Sequence, residues 1–253
     1  NGTKEPTIYI ATEQKKDELQ TMMWAFIAGV PEDHILENTY YDDELERVRM
    51  AKEMLKTTPL YVKELPDFSL QDIENIIKLG IRKYNTRYVC FDYIHSSIKI
   101  LSEVSGKSAV KGLREDNVLF MISVRLKDLA QQYGVFILTS TQLNAEYTEA
   151  KVFDQNLLRG AKAIADKVDG GMIILPVTEE DRESIKPFCQ RNGFEMPELK
   201  ISVYKNRRGR YNHIFLWCQK DLGVCKINPM FVTDWLYKVI DIEDLNITVE
   251  EEE

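Results

Sequence analysis

Apolar residues recur along this chain in two rhythms. Four short runs are almost continuously apolar: Thr7–Ala11, Tyr88–Phe91, Val135–Thr139 and Met172–Leu175. Runs of that length without polar alternation predict strands covered on both faces, as in a parallel sheet. Between them the spacing lengthens to three and four residues, the period of a helix face. Leu19, Met22, Met23, Phe26 and Ile27 share one such face, and so do Leu70, Ile73, Ile77, Ile81 and Tyr84. Ser69 stands where the second helix needs an N-cap. A third stripe, Val118, Ile122, Leu126, Leu129 and Tyr133, runs out at Gly134, a helix-stop signal. Asp42–Lys56 is also helical in spacing but more polar, which predicts an outer helix. Strand and helix in alternation predict an α/β sheet with right-handed crossovers.

After Pro176 the rhythm changes. A charged insert (residues 178–197) leads into three strands expected to run antiparallel, Leu199–Lys205, His213–Cys218 and Gly223–Ile227. The basic stretch Lys205–Arg210 is their first turn. A chain of 253 residues can bury one sizeable core. The expected organisation is therefore one domain over residues 1–228, followed by a C-terminal helix and acidic tail over 229–253.

Charge refines this picture. The net charge is −8, but Asp241, Glu243, Asp244 and Glu250–Glu253 supply seven of those negative charges, with no base among residues 241–253. The body is near neutral, so local basic patches decide whether phosphate can be held. The tail, with its like charges and few apolar residues, is expected to be disordered when free. Hydrophobic residues at 44% and charged residues at 29% place the chain among globular proteins. No apolar run approaches the ~20 residues needed to span a bilayer, and no secretory signal opens the sequence. The four cysteines are scattered without a C-x-x-C pair, which predicts a reduced cytoplasmic setting, no zinc cluster, and Cys90 as a small core residue.

Three polar residues each follow the end of a different predicted strand. Asp92 closes the run Tyr88–Phe91, where a carboxylate can hold the water shell of a magnesium ion beside a nucleoside triphosphate; it can equally cap the next segment. Glu13 follows the first strand and suits the orientation of an attacking water; alone, it also suits a first-turn acid facing a helix dipole. Gln142 follows the third strand, where a neutral amide can sense a γ-phosphate, or simply sit in a turn. Their joint placement points to one shared site more strongly than any of them singly. Gly106-Lys107-Ser108 resembles the end of a G-x-x-x-x-G-K-[ST] phosphate loop, but Leu101 stands where the first glycine belongs, and no other stretch supplies such a loop. Ser105–Arg114, with Lys107, Lys111 and Arg114 and no acid, reads as a mobile basic loop suited to single-stranded nucleic acid, or as a solvated surface loop.

Taken in order, YIATE at 9–13, VCFDYIH at 89–95, ILTSTQLN at 137–144, LLRGAKAIADKVDGGMIIL at 157–175 and VYKNRRGR at 203–210 resemble the RecA-like motor domain of DnaB-family hexameric helicases, phage versions included. The resemblance covers nearly the whole chain to about residue 228. It implies a RecA-like, mostly parallel sheet flanked by helices, with a C-terminal antiparallel extension, ATP or another NTP with Mg²⁺ as cofactors, and 5′-to-3′ translocation on single-stranded DNA within a hexameric ring. By resemblance Glu13 is the catalytic glutamate, Asp92 the metal-side aspartate and Gln142 the γ-phosphate sensor. Lys205 and Arg207 match the K-x-R pair such rings insert into the neighbouring subunit's nucleotide site. Arg159, Gly160 and Lys162 fall where the family's pore loop meets the DNA backbone, with Ser105–Arg114 as a second pore loop. A primase, polymerase or loader is an implied partner, in the cytoplasm of a bacterial or phage-infected cell. The phosphate loop of the family lies roughly two dozen residues, about one strand-to-strand crossover, before the first strand found here, so the chain as given is expected to be a truncated or degenerate form without hydrolysis. RecA-type recombinases and circadian-clock-type ATPases share the fold; the K-x-R hairpin favours the helicase. A non-hydrolysing pseudo-ATPase that binds DNA or a partner is the reading outside enzymes.

Overall fold

The structure, a computed structural model, describes residues 4–107, 115–142, 162–207, 209 and 211–241. They form two compact units. One comprises the chain up to Val168 with Gly223–Cys225; the other comprises Asp169–Leu222 and the chain from Lys226 on.

In the first unit four parallel strands, β1 (Thr7–Ala11), β2 (Leu60–Glu64), β3 (Tyr88–Asp92) and β4 (Phe136–Thr139), lie in the order β2-β1-β3-β4. The chain leaves β1 toward β2 on one side and returns to β3 on the other, so the strand order reverses between β1 and β3. At such a switch point a crevice opens outside the carboxyl ends of the strands. Ile8, Ile10, Val89 and Phe91 pack with Ile73 and Ile77 of α4 (Leu70–Tyr84) and with Val118, Ile122 and Leu129 of α6 (Glu115–Tyr133), all 4% exposed or less. Fully burying one such side chain contributes roughly 1.5–3 kcal/mol. Ser69 caps α4 as expected: its hydroxyl accepts from the Asp72 amide at 3.1 Å, while Asp72 accepts from the Ser69 amide at 3.0 Å. Gly80 lets α4 sit close to β1, since a Cβ there would stand 2.0 Å from Ile8 Cδ1. Gly134, at φ +62°, ends α6.

Four further helices belong to this unit: α1 (Lys16–Ala28), α2 (Glu32–Glu37), α3 (Glu44–Thr57) and α5 (Ile98–Lys107). A short α7 (Lys162–Lys167) follows β4 and contacts α6. The first helical face is shifted from expectation: Ala25 is buried with Val30, Ile35 and Val48, whereas Phe26 stands 51% exposed. The expected basic loop is corrected in its first part, because Ser105, Gly106 and Lys107 belong to α5.

The second unit is antiparallel, in the order β5-β6-β7-β8-β9. Its strands are β5 (Gly170–Pro176), β6 (Leu199–Asn206), β7 (Ile214–Asp221), β8 (Lys226–Asp234) and β9 (Val239–Ile240). The run Met172–Leu175, expected among the parallel strands, is instead β5 and pairs antiparallel with β6; Met172 and Ile174 are exposed. The charged insert is helix α8 (Glu179–Asn192), started by a Thr178–Asp181 capping box. Its Ile185 and Cys189 pack on Trp217 and Phe231 of the sheet. The third strand begins at Lys226 rather than Gly223, and residues 229–241, where a helix was expected, hold the rest of β8 and β9.

Candidate nucleotide site

In register, Ala11 at the end of β1 lies opposite Asp92 at the end of β3, and Phe91 lies opposite Thr139 at the end of β4. The three strands therefore deliver Glu13, Asp92 and Gln142 to one end of the sheet. Glu13 precedes α1, whose first turn carries its own acids, Asp17 and Glu18. Glu13 itself lies two residues before the N-cap, Lys15. Asp92 caps no helix either: its Oδ2 accepts from the Tyr9 hydroxyl and its Oδ1 from Ser140 Oγ at 3.2 Å.

Glu13 and Gln142 are connected through Tyr93. Its hydroxyl donates to Glu13 Oε1 at 2.7 Å and accepts from Gln142 Nε2 at 3.0 Å. The Tyr93 ring lies 5.3 Å from that of His95. Thr12, 2% exposed, ties β1 to β3: its amide and hydroxyl both donate to the Asp92 carbonyl, at 2.9 and 2.8 Å, and its Oγ1 accepts from the Tyr93 amide at 3.0 Å. The Asp92–Tyr93 peptide is cis.

Burial, reinforced by the Asp92 carboxylate, holds the Tyr9 phenol far above its usual range, so it remains a donor. Burial likewise pushes the Cys90 thiol up to about 11, in keeping with a neutral interior residue. The donor set at the end of β3 is carboxylate and hydroxyl oxygen. Such a set fits a magnesium ion that keeps several waters and takes its remaining ligands from a nucleotide's phosphates.

The remaining expected residues divide. Lys205 lies in β6 and Arg207 immediately after it; the Arg207 guanidinium meets Asp169 Oδ1 at 3.2 Å, with the two side chains 55% and 56% exposed. Lys162 is the first residue of α7. Lys111, Arg114, Arg159 and Gly160 lie outside the described residues. The residues that sequence reasoning missed are Tyr9, Thr12, Tyr93 and Ser140. A signal was present for two of them: Tyr9 falls on the opposite face of β1 from Ile8 and Ile10, and Tyr93 directly follows the strand-end aspartate.

Residues 1–224 match the family model described as the DnaB-like helicase C terminal domain. The chain is 39% identical over 251 residues to the SPbeta prophage-derived uncharacterized protein YorI of Bacillus subtilis, covering 98% of this chain and 50% of YorI. It is 25% identical over 191 residues to the replicative DNA helicase DnaB of Mycoplasma pneumoniae, covering 74% of this chain and 37% of that protein. The chain thus spans half or less of the length of the curated relatives it matches. Among solved structures it shares the fold of an ATPase domain, with a TM-score of 0.70 at 13% identity, over 89% of this chain and 75% of that one. It also shares the fold of a DnaB-like replicative helicase described with its interactions with primase, with a TM-score of 0.68 at 12% identity, over 88% and 50% of the two chains.

Proposed function

This chain belongs to the DnaB-like helicase family, and from that membership we propose that it is the motor portion of a replicative DNA helicase, hydrolysing a nucleoside triphosphate with Mg²⁺ to move 5′-to-3′ along single-stranded DNA in a hexameric ring. The observation that carries the reading is the gathering of Glu13, Asp92 and Gln142 at adjacent strand ends, with the Tyr93 hydroxyl bonded to both Glu13 and Gln142.

In this reading Glu13 orients the attacking water and Asp92 meets the metal's water shell. Gln142 senses the γ-phosphate without titrating. Lys205 and Arg207 serve a neighbouring subunit, where a planar, permanently charged guanidinium suits the spread charge of a transferring phosphoryl group. Lys107, Lys111, Arg114, Arg159, Gly160 and Lys162 hold DNA phosphates, and a primase, polymerase or loader completes the cytoplasmic assembly. Among the described residues, no helix is long and apolar enough to cross a membrane.

The 253 residues contain no G-x-x-x-x-G-K-[ST] loop to cradle the β- and γ-phosphates, so this stretch by itself is expected to hydrolyse nothing. The test therefore uses the product of the whole reading frame that encodes it. Wild-type product should hydrolyse triphosphate faster with single-stranded DNA present. Glu13→Gln should keep nucleotide binding and lose ~10²–10⁴-fold in turnover. Unchanged hydrolysis in that variant would remove Glu13 from the chemistry. DNA binding without any turnover in the wild type would favour the non-hydrolysing alternative.

A further inference from the structure

We propose that Tyr93 is a positioning residue that restrains Glu13 until Gln142 engages a ligand; this rests on the nucleotide-hydrolysing reading above. A phenol has one proton to donate and two lone pairs with which to accept. Here the proton goes to Glu13 Oε1 at 2.7 Å and one lone pair takes the Gln142 amide at 3.0 Å. The two bonds reinforce each other, because a hydroxyl that accepts a hydrogen bond becomes a stronger donor.

The consequence is directional. With Gln142 turned toward Tyr93, one oxygen of Glu13 is held and the carboxylate is tied to the strand end. In the state with both nucleotide and single-stranded DNA bound, the Gln142 amide turns to the phosphate oxygen, Tyr93 loses that donor and its grip on Glu13 weakens. Glu13 is then released to orient water. The backbone from which the ring springs is anchored: the Tyr93 amide is tied to Thr12 Oγ1 at 3.0 Å, and its ring lies beside His95. The hydroxyl is therefore the part of the residue that carries the link. A hydrogen bond to a charged group is worth roughly one to two powers of ten in an equilibrium, enough to set an idle rate.

The experiment uses the whole reading-frame product and the Tyr93→Phe variant, which keeps the ring and loses the hydroxyl. Turnover is measured with and without single-stranded DNA. The expected result is a basal rate raised roughly tenfold with the stimulated rate held within about twofold, so that the ratio of the two falls by about tenfold. Nucleotide KM should not rise. A ratio equal to wild type, with both rates unchanged or lowered together, overturns the restraint. So does a ratio that falls only because the stimulated rate drops. A double-mutant cycle of Tyr93→Phe with Glu13→Ala, followed by urea unfolding, tests the bond without catalysis; additive costs overturn it. A wild type that hydrolyses no triphosphate sinks the helicase reading and the restraint together. Wild-type hydrolysis abolished by Glu13→Gln, with an unaltered Tyr93→Phe ratio, sinks the restraint alone.

Discussion

Two polar clusters stand in different surroundings and are built for different purposes. At the carboxyl end of the parallel sheet, Glu13 and Gln142 are exposed and share a tyrosine hydroxyl between them. In the second unit, Lys200 Nζ reaches both oxygens of Asp181 at 2.7 Å, with side chains 4% and 1% exposed. Tyr237 adds a hydroxyl to Asp181 at 3.0 Å, and Thr178 adds its amide at 2.9 Å. Burial alone pushes the Asp181 carboxyl up, but the Lys200 and Thr178 bonds outweigh it and hold the group below its usual range. The buried cluster is saturated and sealed, so it can specify packing but cannot meet a substrate. The open one keeps its groups within reach of solvent, at some cost in rigidity. The contrast repeats inside the second unit, where the Arg207–Asp169 pair is exposed and worth little to stability. A guanidinium held that loosely can serve another molecule.

The largest expected effect follows from that last point. Arg207→Ala mixed at graded ratios into wild-type reading-frame product should abolish turnover at each interface it enters, since trans-acting arginines contribute ~10³–10⁵ in related phosphoryl-transfer systems. Unwinding should then fall faster than the mutant fraction rises. A straight-line decline, with subunit exchange confirmed, would assign Arg207 to its own subunit or to no site.

Next in size is the sealed pair. Lys200→Met leaves Asp181 buried and unpaired, which should cost about 3–5 kcal/mol in urea unfolding. Adding Asp181→Leu should recover only part of it, because Asp181 also caps α8. If Lys200→Met unfolds at the wild-type urea midpoint, the distinction between the two clusters fails.

The smallest effect is a titration that separates burial from availability within the first unit. Glu74 is 7% exposed and, like Asp181, fully engaged. Lys78 at 2.8 Å, Arg125, and the Tyr133 hydroxyl at 3.1 Å all bond its carboxylate. Led by Lys78 and then Arg125, these bonds lower its pKa from 4.5 to about 2. A folded-state value below the unfolded one means stabilisation that is complete above about 4.5 and lost as pH falls toward about 2. Urea midpoints measured across that window should drop more steeply in wild type than in Glu74→Gln, by up to about one proton in slope. Parallel curves would mean that Glu74 is not held as the structure has it.

Much of the first unit was legible in the linear pattern. β1, β3 and β4, the faces of α4 and α6, the Ser69 cap and the Gly134 stop all follow from local periodicity and backbone preference. So does the presence of a polar residue after each of three strands. Local rules failed where a strand or helix lacked the expected apolar signal. β2 reads Leu-Tyr-Val-Lys-Glu because an edge strand paired only with β1 needs little apolar content. The insert after Pro176 showed only its charge, because α8 buries few residues, Asp181, Ile185 and Cys189 among them. β5 misled in the opposite direction: its apolar run resembles a strand covered on both faces, yet Met172 and Ile174 are exposed.

What the sequence by itself determined is most of the first unit's elements and the polar residues carried at three of its strand ends, because both depend on residues within a few positions of one another. Only the tertiary structure decided the order β2-β1-β3-β4, which sets β1 beside β3 and so brings Tyr9 to Asp92 across 83 residues. It likewise decided that Tyr93, beside an aspartate in sequence, would spend its hydroxyl on Glu13, 80 residues away, and on Gln142. Strand order follows from how the helices bury their apolar faces against the sheet. A hydrogen bond follows from where two side chains end up once that burial is complete, and neither is a property of spacing along the chain.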